Sequence, residues 1–248
     1  MFLDLDGTLL EIAQRPEDVE VPHALLDGLY RAHNTLAGAV AIISGRKLDD
    51  IDKLLSPLKL SAAGSHGLQQ RIGDDFLEWL TPQHQAMAEQ IAMRLQDFAS
   101  GDHRLLLERK PGTVALHYRL APGREKDCRD AILGAVCKNP LFQVMHGKMV
   151  FEARPAGMNK GGAIVSFMDR GPFHGRIPVF IGDDVTDEDG FRRVNLLGGI
   201  SIKVGAGATL ADYRVLTVVD AREIVFRIAS GEPITTPALF VATKEKGR

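Results

Sequence analysis

Short apolar runs that each close on polar residues, separated by helix-length segments, constrain this chain more than any other feature. "MFLDL", "AVAIIS", "IPVFIGDD" and "GISIKV" have strand length. Around them, Leu25, Leu26, Leu29 and Leu36 fall at roughly helical spacing, and "KLDDIDKLL", "TDEDGFRRVN" and "DAREIVFRIA" read as helices. Asp220 is placed to cap the last of these. Nearly continuous apolar strands alternating with amphipathic helices specify a parallel sheet covered on both faces. The expected fold class is therefore α/β, with a Rossmann-like, doubly wound parallel-sheet core.

The middle of the chain breaks that rhythm. "LQQRIGDDFLEWL" reads as a hairpin with a Gly-Asp turn. A long helix is expected from about Pro82 to Ala99. Two strands, "HRLLLERK" and "TVALHYRL", flank the strong turn signal Pro111-Gly112. A helix over "GREKDCRDAILGAVC" and a second hairpin over "FQVMHGKMVFEAR", turning at His146-Gly147, complete the block. This α-β-β-α-β-β pattern is an α+β insertion in an α/β frame. It divides the chain into a core of residues 1–81 and 156–248 and an inserted domain of residues 82–155. Trp79 is expected to pack at the junction.

Composition narrows the function. The 248 residues carry a net charge of -2, so no broad basic field argues for nucleic acid or an anionic membrane. Cys128 and Cys137 match no metal-ligand or redox spacing, and a disulfide framework is not expected. No leader-like start and no apolar run of membrane-spanning length is seen. A cytoplasmic monomer is expected, with "TKEKGR" as a solvated tail.

In open parallel sheets, ligands bind beyond the carboxyl ends of the strands. The first strand ends in Asp4-Leu5-Asp6-Gly7-Thr8, the second in Ser44-Gly45-Arg46, and "PVFI" in Gly182-Asp183-Asp184, with Asp187 following. "GMNKGG" opens a helix at Lys160. Taken singly, each has a plain reading: Asp6-Gly7 as a turn, Ser44 as a cap for the helix starting near Lys47, "GDD" as a turn and cap. Lys160 resists one, because a cation in the first turn of a helix opposes its dipole and calls for a nearby anion. Four such sites in one frame are improbable as coincidence. A divalent cation with oxygen ligands, Mg²⁺ above all, would let Asp4 and Asp183 both stay ionised. Lys160, Ser44 and backbone N–H groups would then cradle a phosphate. No Walker A pattern is present.

Four segments, "DLDGT", the serine of "IISGR", the lysine of "GMNKGG", and "GDDVTDED", together resemble the haloacid dehalogenase superfamily of phosphohydrolases. The insertion resembles the mobile α+β cap domain that such enzymes carry there. A finer resemblance, over most of residues 1–205, is to the trehalose-6-phosphate phosphatase family. It rests on "DLDGTLLEIAQRPEDVEVP", "SAAGSHGLQQR", "LERKPGTVALHYR" and "VFEARPAGMNKGGAI". The family pattern carries an acidic residue after "HG", where this chain has Gln69.

The resemblance implies a Mg²⁺-dependent phosphatase acting on a small sugar phosphate through an aspartyl-phosphate. Asp4 would be the nucleophile and Asp6 the acid and base, its backbone carbonyl also on the metal. Asp183 would ligate the metal, supported by Asp184 and Asp187. Ser44 and Lys160 would hold the phosphoryl group. In the cap, Glu108, Lys110 and Glu152 would bind sugar hydroxyls. Glu152 and Arg154 share one strand face, as do His117 and Arg119, for which the solvent side of a half-buried sheet is the preferred reading. Arg46 and His66 are candidate contacts to phosphate or sugar. Two rivals remain: a capped phosphatase for sucrose or mannosylglycerate phosphates, and a silent sugar-phosphate sensor.

Overall fold

The computed structural model describes residues 1–13, 18–137, 139–233 and 241–243, so most of the "TKEKGR" segment lies outside the described residues. In chain order the elements are β1 (Phe2–Leu3), α1 (His23–Thr35), β2 (Ala41–Ile43), α2 (Leu48–Leu55), β3 (Ser61–Gly64), β4 (Gln69–Ile72) and β5 (Asp75–Glu78). There follow α3 (Pro82–Ser100), β6 (Leu106–Lys110), β7 (Thr113–His117), α4 (Glu125–Val136), β8 (Phe142–Gly147) and β9 (Val150–Pro155). The chain continues with α5 (Lys160–Met168), β10 (Val179–Gly182), α6 (Glu188–Leu196), β11 (Ile200–Val204), β12 (Tyr213–Val215), α7 (Val218–Ala229) and β13 (Val241–Ala242). Contacts divide it into two compact units, Met1–Leu77 with Asn159–Arg248, and Glu78–Met158.

The first unit is built on a sheet ordered β13-β12-β11-β10-β1-β2-β3-β4-β5. Strands from β12 through β3 run parallel, and β4 and β13 pair antiparallel to their neighbours. Successive strand residues enter two different cores. Leu3, Ile42, Ala62, Ile181 and Ile202 pack with α1, α2 and α7. Phe2, Ala41, Ile43, Ala63 and Phe180 pack with α5 and α6. This period-2 division is what makes the strands apolar throughout, and it is the doubly wound α/β architecture. Strand order reverses between β1 and β10, so the crevice at the carboxyl ends of those two strands is the topological switch point.

The second unit is a four-stranded antiparallel sheet ordered β6-β7-β9-β8. One face, with Val114, Leu116, Phe142, Phe151 and Ala153, packs against Ile91 and Leu95 of α3 and Cys128 and Ile132 of α4. The opposite face carries Glu108, Lys110, His117, Glu152 and Arg154, because their register sets them in one row pattern across the strands.

Two local expectations are corrected. Lys110 pairs with Thr113, so Pro111-Gly112 makes the expected turn, but Gly147 pairs with Val150. The second turn is therefore Lys148-Met149, with Met149 at φ +60°, and His146 and Gly147 remain in the strand. The last helix is capped by Thr217, whose side chain accepts the Asp220 N–H, while Asp220 reaches back to the Thr217 N–H as the far half of a capping box. Trp79 is 46% exposed. Both cysteines are free thiols. Among the described residues no helix is long and apolar enough to cross a membrane.

Candidate active site

The chain end of β1 supplies the first carboxylate. The Asp4 N–H still donates to the Ile181 carbonyl (3.0 Å), which extends the ladder by one residue and fixes Asp4 beside β10. The backbone then curls, with the Leu5 carbonyl accepting from Thr8, Leu9 and Leu10. Gly7 sits at φ +83°, and a Cβ there would overlap the Asp183 carboxylate. Glycine is thus required twice at this position, for conformation and for room.

Lys160 opens α5, directly after Asn159, whose side chain caps the helix by accepting the Gly162 N–H (2.8 Å). Its Nζ donates to Asp4 Oδ1 (2.7 Å) and to Asp187 Oδ1 (2.6 Å). The anion expected from a lysine at a helix N-terminus is therefore present twice. Asp187 closes the 3-10 turn Val185–Asp187, and its Oδ2 accepts the N–H groups of Asp183 (3.0 Å) and Asp184 (2.9 Å). It anchors the lysine and the β10 loop at once.

Asp4, Asp183 and Asp187 are buried, and each offers a carboxylate oxygen within 4.8 Å of the others. Burial pushes the Asp4 carboxyl well above the usual carboxylate range; Lys160 opposes this, and Asp187 and Asp183 add to it. Burial alone would lower the Lys160 pKa, but Asp187 and Asp4 together raise it, so the ammonium stays charged. One ammonium among three carboxylates leaves net negative charge out of water. Such a group of hard oxygen donors fits a divalent cation such as Mg²⁺. Asp184 is half-buried and lies outside this trio, as does the side chain of Asp6.

Two buried groups belong to the site although sequence reasoning gave them no role. Thr8 Oγ1 lies 3.3 Å from both Asp4 Oδ2 and Asp183 Oδ1, bridging the two carboxylates. Lys203 Nζ donates to the Asp183 carbonyl and to that of Val204 (3.2 Å). A lysine inside the buried run "GISIKV" was the available signal for the second.

On the neighbouring strand, Ser44 follows β2 and is buried. Its hydroxyl accepts the Arg46 N–H (3.2 Å) and caps no helix, since α2 begins behind Lys47 without a side-chain cap. His66 is buried, donates its N–H to the Ser44 carbonyl (3.0 Å), and packs its ring against Gly45. Arg46 forms a two-point ion pair with Asp6.

The second unit groups the remaining candidates. His117 Nε2 lies 2.9 Å from Glu108 Oε2, and Lys110 Nζ 3.4 Å from the same oxygen. Burial raises the Glu108 pKa, but the His117 hydrogen bond and the Lys110 charge outweigh it and hold the carboxyl below its usual value. His117 therefore belongs to this polar group rather than to a bland solvent face. Glu152 is buried and reaches the same row through Ala115, which pairs with both Glu108 and Glu152.

Comparison with known proteins bears on the family and the fold. The trehalose-phosphatase family model matches residues 2–218. Trehalose-6-phosphate phosphatase of Escherichia coli K12 is 41% identical over 225 residues, 88% of this chain and 82% of the relative. A crystal structure of a trehalose-6-phosphate phosphatase related protein superposes with a TM-score of 0.76 at 27% identity, covering 92% of this chain and 96% of the other. A sugar phosphatase of the HAD superfamily, subclass IIB, shares the fold at TM-score 0.60 and 14% identity, covering 88% and 94% of the two chains.

Proposed function

The chain belongs to the trehalose-phosphatase family and is a phosphatase of the haloacid dehalogenase type, and on that premise we propose that it hydrolyses trehalose 6-phosphate to trehalose and phosphate through Asp4. The observation that carries the reading is the buried group at the switch point: Asp4 held by Lys160 and placed within one cation's reach of Asp183 and Asp187.

Asp4 attacks phosphorus. A bond forms between its carboxylate oxygen and phosphorus as the bond to the sugar oxygen breaks. Asp6 gives a proton to that departing oxygen. Asp6 then takes a proton from water, which attacks phosphorus and releases phosphate, regenerating Asp4. Ser44 and Lys160 hold the transferring group, since phosphoryl transfer depends mostly on alignment and charge neutralisation. Asp4, Asp183 and the Asp6 backbone carbonyl would hold Mg²⁺, with Asp187 and Asp184 in support. When bound, the ion offsets repulsion between the nucleophile and the phosphate dianion. Recognition of the sugar is assigned to Glu108, Lys110 and Glu152. Charged groups hydrogen-bond hydroxyls strongly, and a disaccharide offers many hydroxyls and little apolar area.

Phosphate release from a panel of sugar phosphates, with Mg²⁺ and with chelator, tests the reading. Trehalose 6-phosphate should lead, and chelator should abolish turnover. Faster release from sucrose or mannosylglycerate phosphate would overturn the substrate, and no turnover of any ester would favour a silent sensor.

A further inference from the structure

Arg46, a candidate for touching phosphate or sugar, is engaged with another residue of the site. Its Nε donates to Asp6 Oδ2 (2.7 Å) and its Nη2 to Asp6 Oδ1 (2.6 Å). Two parallel bonds between a guanidinium and a carboxylate define both position and plane of the carboxylate, which one point charge does not.

The two partners are unequally anchored. Arg46 stands on a backbone tied at several points: its N–H donates to Ser44 Oγ (3.2 Å), and its carbonyl accepts the Ser65 N–H (2.8 Å). The crossed bond from the His66 N–H to the Ser44 carbonyl (3.0 Å) staples the two loops together. Ser65 and His66 both hold left-handed backbone, at φ 48° and 56°. Non-glycine residues there are strained, and consecutive ones persist only where the surroundings enforce them. The His66 ring closes the arrangement: a Cβ on Gly45 would come within 2.7 Å of it. Asp6, in contrast, precedes Gly7 in a tight turn, and its side chain is 35% exposed.

We propose that Arg46 is a positioning residue for Asp6, orienting the acid–base carboxylate by its fork, and that Ser65 and His66 serve as the buttress for that fork. This rests on the reading of Asp6 as acid and base given above. A guanidinium acting on the substrate phosphate would affect all phosphate esters alike. A guanidinium acting through Asp6 affects esters in proportion to how much their leaving oxygen needs a proton. A sugar alkoxide needs one, and p-nitrophenolate leaves without it.

The test is a double-mutant cycle on purified protein, with trehalose 6-phosphate (or the best ester of the panel) and p-nitrophenyl phosphate as substrates. General acid catalysis is worth about 10²–10⁴-fold. Because hydrolysis of the aspartyl-phosphate is the same for both esters, the comparison is made on leaving-group release in a single turnover at saturating substrate: Arg46→Met is expected to lose at least about tenfold more of that rate on the sugar ester than on the aryl ester, with KM moving less than the rate. Arg46→Lys, which keeps charge and one donor, should recover only part of the difference. Adding Arg46→Met to Asp6→Asn should cost little further on the sugar ester, since the residue to be oriented is already gone. Equal losses of single-turnover leaving-group release on both esters in Arg46→Met, or additive losses in the double variant, would overturn the proposal. If Asp6→Asn itself loses leaving-group release equally on both esters in a single turnover, the acid reading of Asp6 falls, and this proposal with it. Far-UV circular dichroism of each variant separates these outcomes from misfolding, and Arg46→Lys carries the comparison if Arg46→Met does not fold.

Discussion

Replacing Lys160 by Met removes the ammonium that Asp4 and Asp187 share at 2.7 and 2.6 Å. Removing one partner of a buried ion pair costs about 3–5 kcal/mol. A second route to the magnitude goes through protonation. The stranded carboxylates relieve their repulsion by taking up a proton, and doing so at pH 7 against an ordinary value of 3.8 costs about 4 kcal/mol. The two estimates agree, so the metal-free variant should lose about 4 kcal/mol at pH 7. The loss must also depend on pH. In the variant a folded-state carboxyl pKa rises further above its unfolded value, so the folded state binds an additional proton. Stability relative to wild type then falls as pH rises, by up to about 1.4 kcal/mol per unit. Urea unfolding of both proteins in chelator at pH 5.5 and 7.5 measures this. A loss under about 1 kcal/mol, or one equal at the two pH values, would refute the charge balance assigned to the trio.

Three further outcomes are expected. In chelator, the raised Asp4 pKa means the folded state holds a proton the unfolded chain has lost, so melting temperature should fall as pH rises above about 4. Mg²⁺ must displace that proton, so its stabilisation should grow from pH 5.5 to 8, reaching about 3 kcal/mol at a hundredfold excess over Kd; a benefit that is flat or larger at low pH would contradict it. Glu152→Ala should weaken turnover of trehalose 6-phosphate about tenfold more than that of p-nitrophenyl phosphate, in line with charge-assisted hydrogen bonds worth about 1.5–3 kcal/mol. Equal losses on the two esters would remove the second unit's sheet face from recognition.

Much of the fold was legible because its strands are buried on both faces. Phe2 and Leu3 feed two different cores, so the run stays apolar and stands out against its polar ends. Lys160 was legible because its place on the helix was unfavourable without an anion. Other features hid for identifiable reasons. Glycine drew the second hairpin turn to His146-Gly147, yet the strand register puts it at Lys148-Met149 and makes Met149 adopt the left-handed backbone. Asp220 looked like a cap, and only the reciprocal bonds reveal Thr217 in that position. The Arg46–Asp6 fork joins residues forty positions apart, and Thr8 reaches Asp183 across the switch point. Such pairings depend on how parallel strands line up, which no local spacing encodes.

Asp4 as the nucleophile is tested by acid quenching of the enzyme during turnover of trehalose 6-phosphate labelled with radioactive phosphorus. Acid-stable, alkali-labile label should appear on the peptide containing Asp4 and be lost in Asp4→Asn. Rapid phosphate release with no label on the protein, or label on another residue, would contradict it.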